Sequence, residues 1–186
     1  VLSPGLCDQG PDVQRIEQEV VQRARRGKVR LLGPNCLGLM RPDIGLNASW
    51  ARTVARPGNI ALVSQSGAVT TALLDHAWTA GFGFSTVLAT GTESDVGIAE
   101  ILDFLAGDTL TRSILLYVEG IHDARGFLSS VRAASSVKPV IVLKSGKYAA
   151  GGRTALSHTG ALVGNDAVFD AALRRAGAVR VPKIGH

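Results

Sequence analysis

The sequence predicts a doubly wound α/β fold in which a parallel sheet is covered by helices on both faces. Three observations carry this expectation. Short, continuously apolar runs recur from Asn59 onward, as strands buried on two faces require. Stretches with helical spacing separate them. The turns that follow the apolar runs hold glycine and hydroxyl residues, which suit helix starts.

The elements follow in order. Val13 to Arg25 places Val13, Ile16, Val20 and Val21 at helical spacing and predicts an amphipathic helix. Its basic end, Arg23, Arg25, Arg26, Lys28 and Arg30, reads as a solvated face that complements the helix dipole. A strand is expected over Val29 to Leu32, running into the turn Gly33-Pro34-Asn35. Residues 41 to 58 carry Pro42, Gly45, Pro57 and Gly58 without periodicity and read as a connection between two folding units. Strands are then expected at Ile60 to Val63, Phe84 to Leu88, Ile114 to Val118, Val140 to Leu143 and Ala178 to Val181. The intervening helices run from Ser-Gln-Ser-Gly through Trp78, from Val96 to Leu105, from Asp123 to Ala134, and from Gly160 to Ala176. The second unit is thus expected to be a flavodoxin-like domain with five parallel strands. Ligands in such folds bind beyond the carboxyl ends of the strands.

Composition narrows the function. The 186 residues are 46% hydrophobic, 19% charged and only 5% aromatic, with 22 glycines and a net charge of +5. The basic residues are dispersed and no recognition motif accompanies them, so no nucleic-acid partner is expected. No apolar run approaches the roughly 20 residues of a membrane span. Two cysteines make no disulfide scaffold, so a reducing cytoplasmic compartment is expected. No metal-ligand spacing is evident. The opening Val1-Leu2-Ser3 reads like the end of a strand, so the chain is expected to be part of something longer.

Ser64-Gln65-Ser66-Gly67-Ala68-Val69 and Ser157-His158-Thr159-Gly160-Ala161-Leu162 share the pattern Ser-x-Ser/Thr-Gly-Ala-aliphatic. Each stands at an expected helix start, where hydroxyls cap orphan N–H groups and glycine lets an anion approach. Two ordinary N-caps would leave the same trace. Paired at strand ends, the motifs favour phosphate binding. His158 lies on a Gly-rich loop between two hydroxyls, just before a helix N-terminus. The dipole there disfavours imidazolium, leaves a nucleophilic nitrogen, and would stabilise an attached phosphoryl group. His76, His122 and His186 have no such setting. Glu119, directly after a strand, suits the orientation of an imidazole, and equally a capping or solvated acid. Glu93 and Asp95 read as loop or first-turn acids. Cys36 has the pattern of a small buried residue.

Taken together, Gly33-Pro34-Asn35-Cys36-Leu37-Gly38, Ser64-Gln65-Ser66-Gly67-Ala68, Asp95-Val96, Tyr117-Val118-Glu119-Gly120, Lys138-Pro139-Val140-Ile141-Val142-Leu143-Lys144 and Ser157-His158-Thr159-Gly160-Ala161-Leu162 occur in that order. The chain resembles the nucleoside-diphosphate-forming acyl-CoA synthetases, the superfamily of the succinyl-CoA synthetase α subunit. Its Ser-His-Thr-Gly form is similar to the ADP-forming acetyl- or acyl-CoA synthetases. The resemblance implies that residues 1–56 are the C-terminal remnant of a Rossmann-like CoA-binding domain plus linker, and residues 57–186 a flavodoxin-like ligase domain. It implies a phosphorylated His158, an orienting Glu119, and phosphate binding by Ser64, Ser66, Gly67, Thr159 and Gly160. Asn35 and Cys36 would lie near the coenzyme A thiol. The reaction implied interconverts acyl-CoA, ADP and phosphate with acid, CoA and ATP, through acyl phosphate and phosphohistidine. ATP or ADP and magnesium would sit on an ATP-grasp domain or subunit, which this chain lacks together with the N-terminal CoA-binding half. A small-molecule acid and an oligomeric assembly are expected as well. The alternative is a CoA-ester-sensing regulatory region of a bacterial protein lysine acetyltransferase with a fused acetyltransferase domain.

Overall fold

The computed structural model describes residues 11–145 and 166–183. Its elements are α1 (Pro11–Arg26), β1 (Gly38–Arg41), a 3-10 turn (Pro42–Ile44), β2 (Leu46–Ser49), β3 (Pro57–Ser64) and α2 (Gly67–Ala80). They continue with β4 (Phe84–Ala89), α3 (Ile98–Gly107), β5 (Ser113–Val118), α4 (Ala124–Ser135), β6 (Val140–Lys144), α5 (Asp166–Ala176) and β7 (Val179–Val181).

Among the described residues, seven strands form one sheet in the order β2-β1-β4-β3-β5-β6-β7. The five from β3 onward are parallel, and ranked along the chain their order is 2-1-3-4-5, the flavodoxin-like arrangement. Side-chain alternation divides the core between the two faces. Ala61 and Val63 of β3, Ile114, Leu116 and Val118 of β5, and Val140 and Val142 of β6 pack beneath α3, α4 and α5. Leu62 of β3 with Phe84 and Val87 of β4 packs on the other face, against Leu74 and Ala77 of α2.

The N-terminal region departs from expectation in three ways. A hairpin, β1–β2, reaches into the expected linker, and β1 pairs antiparallel with β4 from Gly38↔Ala89 to Met40↔Val87. One continuous sheet therefore crosses residue 56, instead of a remnant packed beside a separate five-stranded sheet. The hairpin joins because Met40 is apolar enough to enter the α2-side core and because Gly38 lets β2 come close. With φ +112°, a Cβ on Gly38 would stand 2.1 Å from the Ala48 carbonyl oxygen. Second, Val29 to Leu32 forms no strand. Its main chain bonds instead to the turn after β4: the Leu31 amide donates to Asp95 Oδ2 at 2.8 Å, and the Leu31 carbonyl accepts from Val96 at 3.1 Å. Third, α1 buries Val21, while Ile16 and Val20 are 51% and 47% exposed.

Polar ties hold this region down. The Asp95 side chain is fully buried, and its oxygens accept from Arg25 Nε at 2.7 Å and Arg30 Nε at 3.0 Å. Part of the basic cluster is thus paired, not simply solvated. Burial alone would raise the Asp95 carboxyl, but the hydrogen bonds from Arg30, the Leu31 amide and Arg25 outweigh it and hold its pKa at about 2. At the opposite end of the sheet, Arg41 grips Asp108 through two bonds of 2.8 and 3.0 Å and also donates to Thr86 Oγ1 at 3.0 Å.

Two outcomes follow. Asp95 has a depressed folded-state pKa, so its contribution is present above the unfolded value of 3.8 and lost as pH falls from there toward about 2. Asp95→Ala should cost about 2 kcal/mol at neutral pH and flatten the stability profile in that acid window, as measured by urea unfolding at several pH values. Arg41→Lys keeps the charge but loses the two-pronged grip, and should cost about 1 kcal/mol in the same assay at pH 7.

Candidate functional site

Strand ends, not strands, build the site. β3 ends at Ser64, whose carbonyl accepts from the Thr90 amide at 2.8 Å and whose buried hydroxyl donates to the Ser66 carbonyl at 2.9 Å. The Ser66 amide returns a 3.1 Å bond to that hydroxyl. Ser64 therefore shapes the turn. Ser66 is the N-cap of α2, with φ −109° and ψ 120°, and its Oγ accepts from the Val69 amide at 3.4 Å. Gly67 opens the helix, and a Cβ there would meet only Leu37 Cβ, at an ordinary 3.6 Å. No described neighbour demands glycine at this point. The bare backbone leaves the first amides of α2 approachable from outside.

The helix starts along this edge differ in charge. The carboxylate of Glu93 accepts from the Ile98 amide at 3.2 Å, and Glu100 lies in the first turn of α3. Asp123 caps α4 by accepting from Gly126 at 3.0 Å. The first turn of α2 has no acid. With no acid in that turn, it is the described N-terminus along this edge best suited to an anion.

Glu119 follows β5 at once. Its amide donates to Gln65 Oε1 at 2.5 Å, and its carbonyl accepts from Lys144 Nζ at 3.4 Å. Lys144 ends β6, is buried, and also reaches the Ser145 carbonyl at 3.1 Å. Burial pushes its ammonium pKa down, opposed by Asp166 and reinforced by Arg180. Burial also raises Tyr117, with Ser145 opposing and Glu119 adding to the shift. Behind Glu119, Gln65, Glu93, Gly97, Ile98, Gly120 and Ile121 line part of a crevice of about 190 Å³. It lies where β3 leads to a helix on one face and β5 to a helix on the other, the switch point at which such sheets bind ligands.

The turn at residues 33–36 lies against the loop after β4. The Pro34 carbonyl accepts from the Thr92 amide at 3.0 Å and the Gly33 carbonyl from Ser94 at 3.3 Å. Gly91, at φ +63°, makes this approach possible, since a Cβ there would meet the Pro34 carbonyl oxygen at 2.0 Å. Asn35 is exposed, in the left-handed region at φ 54°. Cys36 is buried, its Sγ 3.7 Å from the Leu32 carbonyl oxygen.

The structure thus brings Ser64, Ser66, Gly67, Glu119, Asn35 and Cys36 to the carboxyl edge of one sheet. His158, Thr159 and Gly160 lie outside the described residues. Sequence reasoning missed Gln65 and Lys144. Their signals were a glutamine enclosed between two turn serines and a lysine ending an otherwise apolar strand.

Comparison with known proteins places this geometry. Residues 57–186 match the family described as succinyl-CoA ligase like flavodoxin domain. The chain is 38% identical over 186 residues to the α subunit of acetate–CoA ligase (ADP-forming) I of Pyrococcus furiosus, covering all of this chain and 40% of that protein. It is 40% identical over 180 residues to the ADP-forming acetate–CoA ligase of Methanocaldococcus jannaschii, covering 97% of this chain and 25% of that protein. The chain therefore spans well under half the length of these curated relatives. The solved dinucleotide-forming acetyl-coenzyme A synthetase 1 of Ca. Korarchaeum cryptofilum, in complex with phosphate and ADP, superposes with a TM-score of 0.91 at 33% identity, covering 99% of this chain and 40% of that one. With its five parallel strands in flavodoxin-like order and its residues 57–186 matched throughout, the chain belongs to the succinyl-CoA ligase-like flavodoxin domain family.

Proposed function

We propose that the protein carrying this chain is an ADP-forming acyl-CoA synthetase and that this chain supplies the edge at which phosphate, acyl group and phosphohistidine meet. One observation carries the reading. The acid-free start of α2, the held main chain of Glu119 and the 33–36 turn converge at one sheet edge, in a chain whose relatives are named ADP-forming CoA ligases.

In this reading, phosphate sits at the α2 N-terminus, held by amides around Ser66 and Gly67 in a first turn that carries no acid. A phosphate oxygen attacks the thioester carbonyl of acyl-CoA, the C–S bond breaks, and CoA departs as its thiol once protonated. Asn35 and Cys36 lie near that thiol. The neutral imidazole of His158 then attacks the phosphorus of acyl phosphate, and the P–O bond to the acyl oxygen breaks to release the carboxylate acid. Glu119 accepts from the other ring nitrogen, fixing the tautomer and stabilising the positive ring. The phosphoryl group passes finally to ADP. Such transfer depends chiefly on positioning and electrostatic stabilisation, which backbone amides supply without reorganising. Thr159 and Gly160 would supply further donors to the phosphate. We place coenzyme A on a Rossmann-like CoA-binding domain, and nucleotide with magnesium on an ATP-grasp domain or subunit.

The test uses the full-length protein. ATP carrying a labelled γ-phosphate should label the wild type with an acid-labile, base-stable bond, and His158→Ala should abolish the label. Glu119→Gln should slow labelling about 10- to 100-fold with the fold intact. Release of free CoA thiol from acetyl-CoA should require phosphate, and its continuation beyond one turnover should require ADP as well. Equal label in wild type and His158→Ala, or thiol release without phosphate, would overturn the assignment.

A further inference from the structure

Gln65 has chemistry that the proposed reaction leaves unassigned. A carboxamide presents acceptor lone pairs and two N–H donors, and burying it is costly unless they find partners. Gln65 is 8% exposed and is satisfied at both ends. Its Oε1 accepts from the Glu119 amide at 2.5 Å and from the Gly120 amide at 3.0 Å. Its Nε2 donates to the Gly120 carbonyl at 2.8 Å and to Glu93 Oε1 at 2.7 Å.

These bonds lie beyond the sheet. β5 ends at Val118, so no strand ladder holds the turn at residues 119 and 120, and the side chain of Gln65 takes the ladder's place. The orientation of the carboxamide is dictated from behind. Glu93 is itself held, since Thr90 Oγ1 donates to its Oε1 at 3.1 Å and the Ile98 amide to its Oε2 at 3.2 Å. A reversed amide would turn the Gln65 oxygen toward that carboxylate and its NH2 toward two N–H donors. The Glu93 charge therefore keeps the acceptor end of Gln65 on Glu119 and Gly120.

We propose that Gln65 is a positioning residue, locked by Glu93, that holds the main chain at Glu119 so that the carboxylate meets the imidazole of His158. The proposal rests on the role assigned to Glu119 above. It adds a dependence of that role on two residues that do not touch the reacting groups. Gln65 is short, rigidly paired and connected to three strand ends, so a small displacement of the 119–120 turn is what its removal would produce.

The test compares the full-length wild type with Q65M, Q65E and Q65E/E93Q. In Q65M, hydrogen exchange at the Glu119 and Gly120 amides should rise at least about tenfold, while the β5 amides of Leu115 and Leu116 keep their protection. The rate of His158 phosphorylation at saturating ATP should fall about 100-fold with the KM for ATP unchanged. Q65E sets two carboxylates face to face and should be at least as slow as Q65M. In Q65E/E93Q the amide now at position 93 supplies the missing donor, and at least about tenfold of the lost rate should return, a recovery expected of a matched pair. Unchanged exchange at residues 119 and 120, unchanged phosphorylation in Q65M, or exchange rising along all of β5 would overturn the proposal. A wild type without label on His158 would instead overturn the proposed function, and the exchange at residues 119 and 120 would still decide whether Gln65 holds that turn.

Discussion

Where parallel strands stop, their main-chain groups leave the ladder, and a buried N–H or C=O without a partner costs as much as a lost hydrogen bond. The carboxyl edge of this sheet answers that constraint with side chains. Gln65 serves the turn after β5, Glu93 serves the start of α3, and Asp95 serves the Leu31 amide. All three stand in the two loops that leave the central strands β3 and β4. The polar residues that make this edge foldable are therefore the same ones that set the positions of its turns.

The distribution of charge along the edge has a further consequence. Two helix starts are supplied with carboxylates, from Glu93 and Glu100 at α3 and from Asp123 at α4. Their dipoles are already answered. The start of α2 is capped by the neutral hydroxyl of Ser66 and begins with a glycine that its described neighbours do not require. An anion approaching this edge meets repulsion at two helices and attraction at one. The buried ammonium of Lys144, bound to main-chain carbonyls beside Glu119, adds positive charge on the same side.

The N-terminal region is attached by a different balance of forces. Among its described side chains, α1 contributes little apolar burial beyond Val21. Its hold comes from Arg25 on the buried Asp95 and from Glu17, which accepts from the Ser94 hydroxyl. Helix α1 and the extended stretch after it thus both converge on the loop after β4, where the 33–36 turn also docks. The hairpin β1–β2 is attached by pairing to β4 and by the Arg41–Asp108 grip. That single loop ties the N-terminal region to the functional edge.

The sequence by itself determined the five parallel strands, the described helices between them and the edge at which Ser66, Gly67 and Glu119 stand. Period, apolar runs and caps are local properties, and Ser66, Gly67 and Glu119 could be placed at strand ends from them alone. The tertiary structure decided what depends on partners distant in the chain. The hairpin at 38–49 was hidden because its strands are four residues each, β2 is largely exposed, and the β4 edge that holds β1 lies some 45 residues further along the chain. The strand expected at residues 29–32 failed for the opposite reason, since its pattern was apolar but its main chain found Asp95 and Val96 in place of a neighbouring strand. Asp95 read as a loop acid because its arginines lie 65 and 70 residues away. Gln65 stood only as the variable position of the Ser-x-Ser motif because its partners, Glu93 and Gly120, meet it only when β3, β4 and β5 lie side by side. Hydrogen bonds across such separations leave no periodic trace, so the glutamine that organises the edge becomes visible only in the folded sheet.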